Sequence, residues 1–517
     1  MTDHDDAASR SQLKYINEQE QEQQLKDLAN LHGRNILLVF LFALLAMAVM
    51  GYHPGLEDDA VYLTAVKADL NPVLYPHDSD FFRIQSQATV FDKCIAGFIR
   101  LTHIPVAFTE LLFQFVSIFL ILLGCWLIAR ILFAEQWVQW AGVALTAAMM
   151  TLPVAGTALY LADQHLHPRN TATALVLLAV SRIMSGRNWQ AVPLLLLAFL
   201  LHPIMAALGI SFCFFLAMAM LKPVHPWLRS LRGSLVAAVP LGWVFESPTP
   251  VWHRALQTRG YYFLYTWTWY EWLGALAPLI LFGLLWRIAR QRGETMLARF
   301  TLAVFSYGLF QQAVAMIVLK SPALERLTPM QPMRFLHLIY YFLTLIGGCL
   351  LGKYLLKTNA WRWAAFLIVT NTGMFVSQVA LYPGTDHLEL PGIPSSNPWL
   401  QSFDWIRANT PTNAYFAMDP NYLAAPGEDY HSFRAIAERS QLADMIKDPS
   451  LVTQVPELGP AWEMQVNATA GWQRFQLEDF ERLKAKLGVG WVIVSYPQPR
   501  GLACPWHNDS LTVCEIP

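Results

Sequence analysis

The chain has 517 residues, of which 55% are hydrophobic, 13% aromatic and only 14% charged, and its mean hydropathy is +0.34. Ordinary soluble domains carry about 25% charged residues, so this is the composition of a polytopic membrane protein. A net charge of −1 provides no basic surface for nucleic acid, and the apolar content excludes a disordered scaffold.

Residues 1–33 are polar, with a Glu/Gln tract at 18–24, and lack the short basic region that a signal peptide sets directly before its apolar core. They read as a cytoplasmic N-terminal tail followed by an uncleaved anchor. Stretches apolar enough to cross or nearly cross a bilayer follow at about 36–51, 108–132, 137–153, 171–185, 190–201, 203–221, 233–246, 271–287, 298–319, 335–352 and 360–381. Residues 34–381 are therefore expected to form an α-helical polytopic domain of about 11 spans. With the N-terminus inside, Arg130, Arg182, Arg187, Lys222, Arg229, Arg232, Arg287, Arg290, Arg292, Lys353 and Lys357 all fall in cytoplasmic turns. The first outer loop 52–105, the segments 154–170 and 247–270, the loop 320–334 and everything beyond 382 then face outside. The expected setting is a bacterial inner membrane with a periplasmic C-terminal domain.

The linker 382–398 is rich in turn formers, among them Pro383, Gly384, Pro391, Gly392 and Pro394. Residues 399–517 have soluble composition and read as a small extracytoplasmic α/β or α+β domain, with helices at 399–409, 432–445 and 477–487 and strands at 414–418 and 491–496. Cys94, Cys125, Cys213 and Cys349 fit no zinc spacing and read as small packing residues. Cys504 and Cys514 are candidates for a disulfide in an oxidising compartment.

The acids Glu57, Asp58 and Asp59 stand just beyond the first apolar run, in a long loop rich in His, Asp and aromatic residues. Acids favour helix N-termini, so a solvated turn is one reading. The other is chemical: a carboxylate here deprotonates or orients an acceptor hydroxyl, or holds a divalent metal such as Mg or Mn. In residue type, position and sidedness this motif resembles that of the GT-C superfamily of membrane glycosyltransferases, which use polyprenyl-phosphate-linked sugars and carry an acidic pair in the first outer loop. The resemblance extends to the many spans and the outer C-terminal domain. It implies an inverting hexosyl- or pentosyltransferase acting on an envelope lipid, glycan or protein, with Asp58, Asp59 and Glu57 as catalytic candidates.

Three further clusters are candidates for substrate binding. Asp163, His165, His167 and Arg169 precede the fourth apolar stretch. They read as interfacial anchors and helix caps, as donors to phosphate and sugar hydroxyls, or, for His165 and His167, as a metal pair that has no assigned third ligand. The resemblance implies a second acidic or histidine-bearing site in a later outer loop, for which Asp163 is the candidate, although the family's exact motif is not reproduced. His202, before Pro203, reads as a packing residue unless short helices bring it beside Asp163 and Glu57. Arg334 and His337 open the tenth stretch, where positive charge on an outer edge is unexpected, and Arg334 suits a lipid-phosphate clamp or a snorkelling interfacial residue. The aromatic run 261–272 suits an interfacial belt or a sugar-stacking surface, with Glu271 in its midst. A lipid or polysaccharide transporter or flippase is the rival reading, opposed by the scarcity of charge within the apolar stretches. A non-catalytic GT-C-like assembly partner is the third, and it predicts acids that do not converge on an open cavity.

Overall fold

A computed structural model describes residues 33–221 and 248–517 of the chain. All of the expected N-terminal tail except Gly33, and the expected span 233–246, lie outside the described residues. Among the described residues seven helices are long and apolar enough to cross a membrane: Gly33–Met50, Val106–Leu132, Pro203–Met220, Trp269–Gln291, Thr295–Lys320, Pro332–Leu356 and Ala360–Leu381. They make this an integral membrane protein by length and composition.

The described residues do not confirm the expected count of about 11. Three of the stretches form Gln136–Ala148, of 13 residues, Pro168–Met184, of 17, and Asn188–Leu201, of 14. At 1.5 Å per residue the two shortest extend only about 20 Å, less than the roughly 30 Å of a hydrocarbon core. The short helices pack among the long ones, Pro168–Met184 against Val106–Leu132 and Gln136–Ala148 against Leu336–Leu351. The second pair meets backbone to backbone: a Cβ on Gly348 would lie 2.5 Å from the Ala141 carbonyl oxygen, so only glycine permits the contact.

Two of these helices begin in a way that matters for the site. Pro168 and Pro203 each occupy a first helical position, where the missing N–H costs nothing. The histidine before each proline acts as the N-cap. His167 Nδ1 accepts from the Arg169 N–H at 2.9 Å, and His202 Nδ1 accepts from the Met205 N–H at 3.3 Å.

The C-terminal sheet contains β1 (Tyr415–Ala417), β2 (Ser440–Gln441), β3 (Trp491–Ser495), β4 (Ala503–His507) and β5 (Leu511–Glu515), in the order β2-β1-β3-β5-β4. β1 pairs in parallel with β2 and β3, and β5 pairs antiparallel with β3 and β4. The β-branched run Val492, Ile493 and Val494 suits the buried central position of β3. A disulfide joins Cys504 to Cys514 across the last two strands. The helix expected over 432–445 is shorter: Ser432 caps Phe433–Ala437, Glu438 turns left-handed at φ 55, and Ser440 then pairs with Tyr415. The Arg439 guanidinium donates to the carbonyls of Arg407 and Thr410, which holds the chain in this extended exit. Helices Asp448–Gln454 and Gly459–Ala468 follow.

The loop 52–105 folds as a 3-10 turn, Glu57–Ala60, and helices Tyr62–Leu70, Asp80–Gln87 and Phe91–Thr102. Its backbone is stitched to the linker and the C-terminal region. Glu389 N–H donates to the Tyr52 carbonyl at 2.9 Å, Glu57 N–H to that of Tyr430 at 2.9 Å, and Ser432 N–H to that of Gly55 at 2.8 Å. Lys67 adds an ion pair to Glu438 at 2.8 Å. The acid-bearing turn is thus tied to the linker and to residues 430–438 of the C-terminal region.

Candidate functional site

A cavity of about 560 Å³ opens between the ends of the membrane helices and the C-terminal region. Glu57, Asp58, Asp163, His165, His167, Arg169, His202 and Arg334 all line it. Residues from four separate stretches of sequence therefore share one wall. Asp59 and His337 are not among its lining residues.

The triplet divides by direction. Asp58 faces the cavity with its side chain 37% exposed; its Oδ2 lies 3.2 Å from His167 Nε2 and its Oδ1 accepts from Lys447 Nζ at 3.0 Å. Lys447 also donates to Glu57 Oε2 at 3.1 Å. Desolvation raises the Asp58 carboxyl, but the Lys447 ammonium and the His167 hydrogen bond outweigh it and hold Asp58 well below the usual carboxylate range. Asp59 is buried, and its Oδ2 accepts from the Gly55 N–H at 2.8 Å, which closes the turn on itself. Burial and the nearby Glu110 carboxyl push Asp59 well above the usual range. The two neighbours therefore differ in role: Asp58 is a carboxylate held low by its cationic partners on the cavity wall, and Asp59 is a buried acceptor behind it.

The second cluster is built around a buried pair. Arg169 Nε donates to Asp163 Oδ2 at 3.0 Å and its Nη2 to Oδ1, a bidentate fork. Burial opposes ionisation of Asp163, yet Arg169 and His167 hold its carboxyl far below the usual range. Asn170 Nδ2 and Gln114 Nε2 both donate to the Asp163 carbonyl, fixing the turn that carries the cluster. His165 is 3% exposed, and neither ring nitrogen has a hydrogen-bond partner. Burial pushes it down to about 3, against the pull of Asp163, so a neutral imidazole is presented to the cavity. His167 touches His202 with ring centroids 5.9 Å apart. Both histidines cap helices and also line the cavity.

Arg334 Nε donates to Gln331 Oε1 at 2.6 Å, and Gln331 Nε2 donates to the Tyr262 hydroxyl at 3.1 Å. Arg259 also lines the cavity, anchored through Nη2 to the Lys447 carbonyl at 3.0 Å. Among the described residues neither arginine forms an ion pair with a carboxylate, so two guanidinium forks line the cavity without a directly bonded acid. His337 sits deeper, with Nε2 2.9 Å from the Leu161 carbonyl oxygen. Glu271 accepts from the Thr268 N–H at 2.6 Å as a helix cap, whereas Tyr261 and Tyr262 of the same aromatic run reach the cavity.

Lys447, Arg259, Gln331 and Tyr430 were not singled out from the sequence. No local pattern marks them, and only their partners in space give them a role.

No family model matches the chain, and no curated protein matches it. Among solved structures, the archaeal oligosaccharyltransferase AglB from Archaeoglobus fulgidus, in complex with an inhibitory peptide and a dolichol-phosphate, is similar at a TM-score of 0.36 and 12% identity, over 89% of this chain and 69% of that one. A likeness this loose carries no argument, and the chemistry rests on the geometry of the cavity.

Proposed function

We propose that this chain is a membrane glycosyltransferase that moves a sugar from a polyprenyl phosphate to an acceptor hydroxyl on the outer face of the membrane. The observation that supports the reading is the meeting of an ionised carboxylate, Asp58, with two carboxylate-free guanidinium groups, Arg259 and Arg334, in one cavity at the ends of the membrane helices.

In this reading the acceptor hydroxyl docks against Asp58, taking the place of Lys447 on Oδ1. Losing the ammonium raises the basicity of Asp58, which a base needs, because a carboxylate far below neutrality accepts protons poorly. The hydroxyl oxygen attacks the anomeric carbon from the side opposite the leaving group, and its proton passes to Asp58. The bond from the anomeric carbon to the phosphate oxygen breaks with its electron pair on the phosphate, and Arg334 and Arg259 meet the growing charge. His167 keeps Asp58 oriented, and neutral His165 is placed to hydrogen-bond sugar hydroxyls. Once the hydroxyl has taken its place on Asp58, Lys447 stays paired with Glu57, and in this reading its ammonium supplies the positive charge beside the acids that a Mg or Mn ion would otherwise supply. Added Mg or Mn is then expected to leave the rate unchanged.

The test is reconstitution. The purified protein in liposomes is given a panel of labelled polyprenyl-phosphate hexoses and pentoses with an envelope extract as acceptor. Covalent transfer of label from at least one donor supports the proposal. Movement of label across the bilayer with no covalent product would instead make the protein a flippase.

A further inference from the structure

Behind the acid-bearing turn, outside the cavity just described, three segments bring two imidazoles and a carboxylate together. His53 Nδ1 lies 2.7 Å from Glu389 Oε1, and His431 Nε2 lies 3.0 Å from the same oxygen and 3.1 Å from Oε2. Both histidines are wholly buried and the Glu389 side chain is 11% exposed. The three donor atoms all lie within 4.8 Å of one another, the one such grouping of His, Cys, Asp or Glu among the described residues. None of the three lines the 560 Å³ cavity.

We infer that His53, Glu389 and His431 form a structural site for a zinc-class divalent cation. The tautomer logic points there. His431 Nδ1 lies 3.1 Å from the Glu428 carbonyl oxygen, which only accepts, so this nitrogen carries a proton. Nε2 is then the nitrogen that faces Glu389, and a cation placed between them takes its lone pair in place of the proton it otherwise shares with that carboxylate. A carbonyl holding the far nitrogen is also the support that metal-binding histidines commonly have. Two imidazole nitrogens and one carboxylate oxygen form a donor set that zinc accepts, with a fourth position left for water. Zinc at about 2.0–2.2 Å from each donor keeps neighbouring donors about 3.3–3.5 Å apart, so the 2.7 Å His53–Glu389 pair needs to open by about 0.6–0.8 Å and the 3.0 Å His431–Glu389 pair by about 0.3–0.5 Å. Glu389 borders a separate 210 Å³ cleft, which supplies the route for the ion and its water.

The backbone holds each ligand in place before any ion arrives. Tyr52 pairs with Leu388, and Leu56 with His431, as isolated β-bridges. A cation here ties the first loop, the linker and the C-terminal region into one knot four residues ahead of Glu57 and beside Tyr430, which lines the cavity. Its role is to set the position of Glu57 and Asp58 rather than to take part in transfer, and the inference does not depend on the transferase reading.

The test reads metal and stability rather than sugar transfer. The full-length protein in detergent is stripped with a chelator, desalted and titrated with zinc chloride, and the bound metal is counted by elemental analysis. About one zinc per chain is expected, with a rise in melting temperature on re-addition because the ion binds only the folded state. Cobalt(II) in place of zinc is expected to give the visible bands of a four-coordinate site. Glu389→Gln and His431→Gln should lose both. Should these variants fail to fold, the stripped wild type decides alone: no zinc above background, no thermal shift and no cobalt bands would overturn the site and leave the triad as an imidazolium–carboxylate network.

Discussion

Replacing Asp58 and Asp59 one at a time by asparagine separates two groups that adjoin in sequence and differ in surroundings. Asp58→Asn removes the negative charge from the cavity wall while keeping the size of the side chain. The ion pair it gives up with Lys447 is part-exposed at 37% on the Asp58 side, so its loss costs at most about 1 kcal/mol of stability and the variant folds. If Asp58 takes the acceptor proton, transfer falls about 10²–10⁴-fold, or roughly 3–5 kcal/mol in the barrier. Asp59→Asn keeps an oxygen to accept the Gly55 N–H, and burial already holds the native carboxyl toward its neutral form, so the rate stays within a few fold of wild type. The assay is initial rate of label transfer in proteoliposomes, normalised to folded protein by size exclusion. Equal activity in the two variants, or a folded but inactive Asp59→Asn beside an active Asp58→Asn, would refute the assignment.

Four other outcomes follow from the same geometry. Arg334→Gln is expected to weaken binding of a short polyprenyl phosphate by about 10–100-fold, as losing a charge-assisted contact costs about 1.5–3 kcal/mol; an unchanged Kd by calorimetry removes Arg334 from the clamp. Lys447→Gln removes the charge that depresses Asp58, so the acid limb of the pH–rate profile should move to higher pH, and an unmoved limb contradicts the coupling. His165, near 3 in the fold and about 6.5 when unfolded, takes up protons mainly in the unfolded state between those values, so its neutral burial costs stability as pH falls through 6.5. From pH 7 to pH 5 that loss is about 2 kcal/mol, which His165→Gln should abolish in thermal melts at the two pH values. Gly348→Ala forces a Cβ onto the Ala141 carbonyl and should cost about 1–3 kcal/mol, whereas Gly347→Ala, with open space at its Cβ, should not destabilise; equal melting temperatures would contradict the packing.

Hydropathy is a local property, and what it governs was legible in the chain. The apolar runs locate the seven long helices of the structure within a few residues, and the short amphipathic stretch 477–487 coincides with a helix closed by a left-handed Gly488. Apolar length alone, however, does not separate a membrane-crossing helix from a short one packed between neighbours, so Gln136–Ala148 and Asn188–Leu201 read like spans. The acid triplet was visible as a cluster because three adjacent charges are locally unusual.

Which acid faces the cavity was not visible, because direction within a 3-10 turn is set by the Gly55 N–H on one side and by Lys447 on the other. Lys447 meets Asp58 from 389 residues away, and Glu389 meets His53 from 336. By itself the sequence determined where the long apolar helices run, to within a few residues, and which residues are chemically capable. The tertiary structure alone decided which of them share a space, since that depends on backbone pairing between the first loop, the linker and residues 430–432, and no local pattern records a long-range contact.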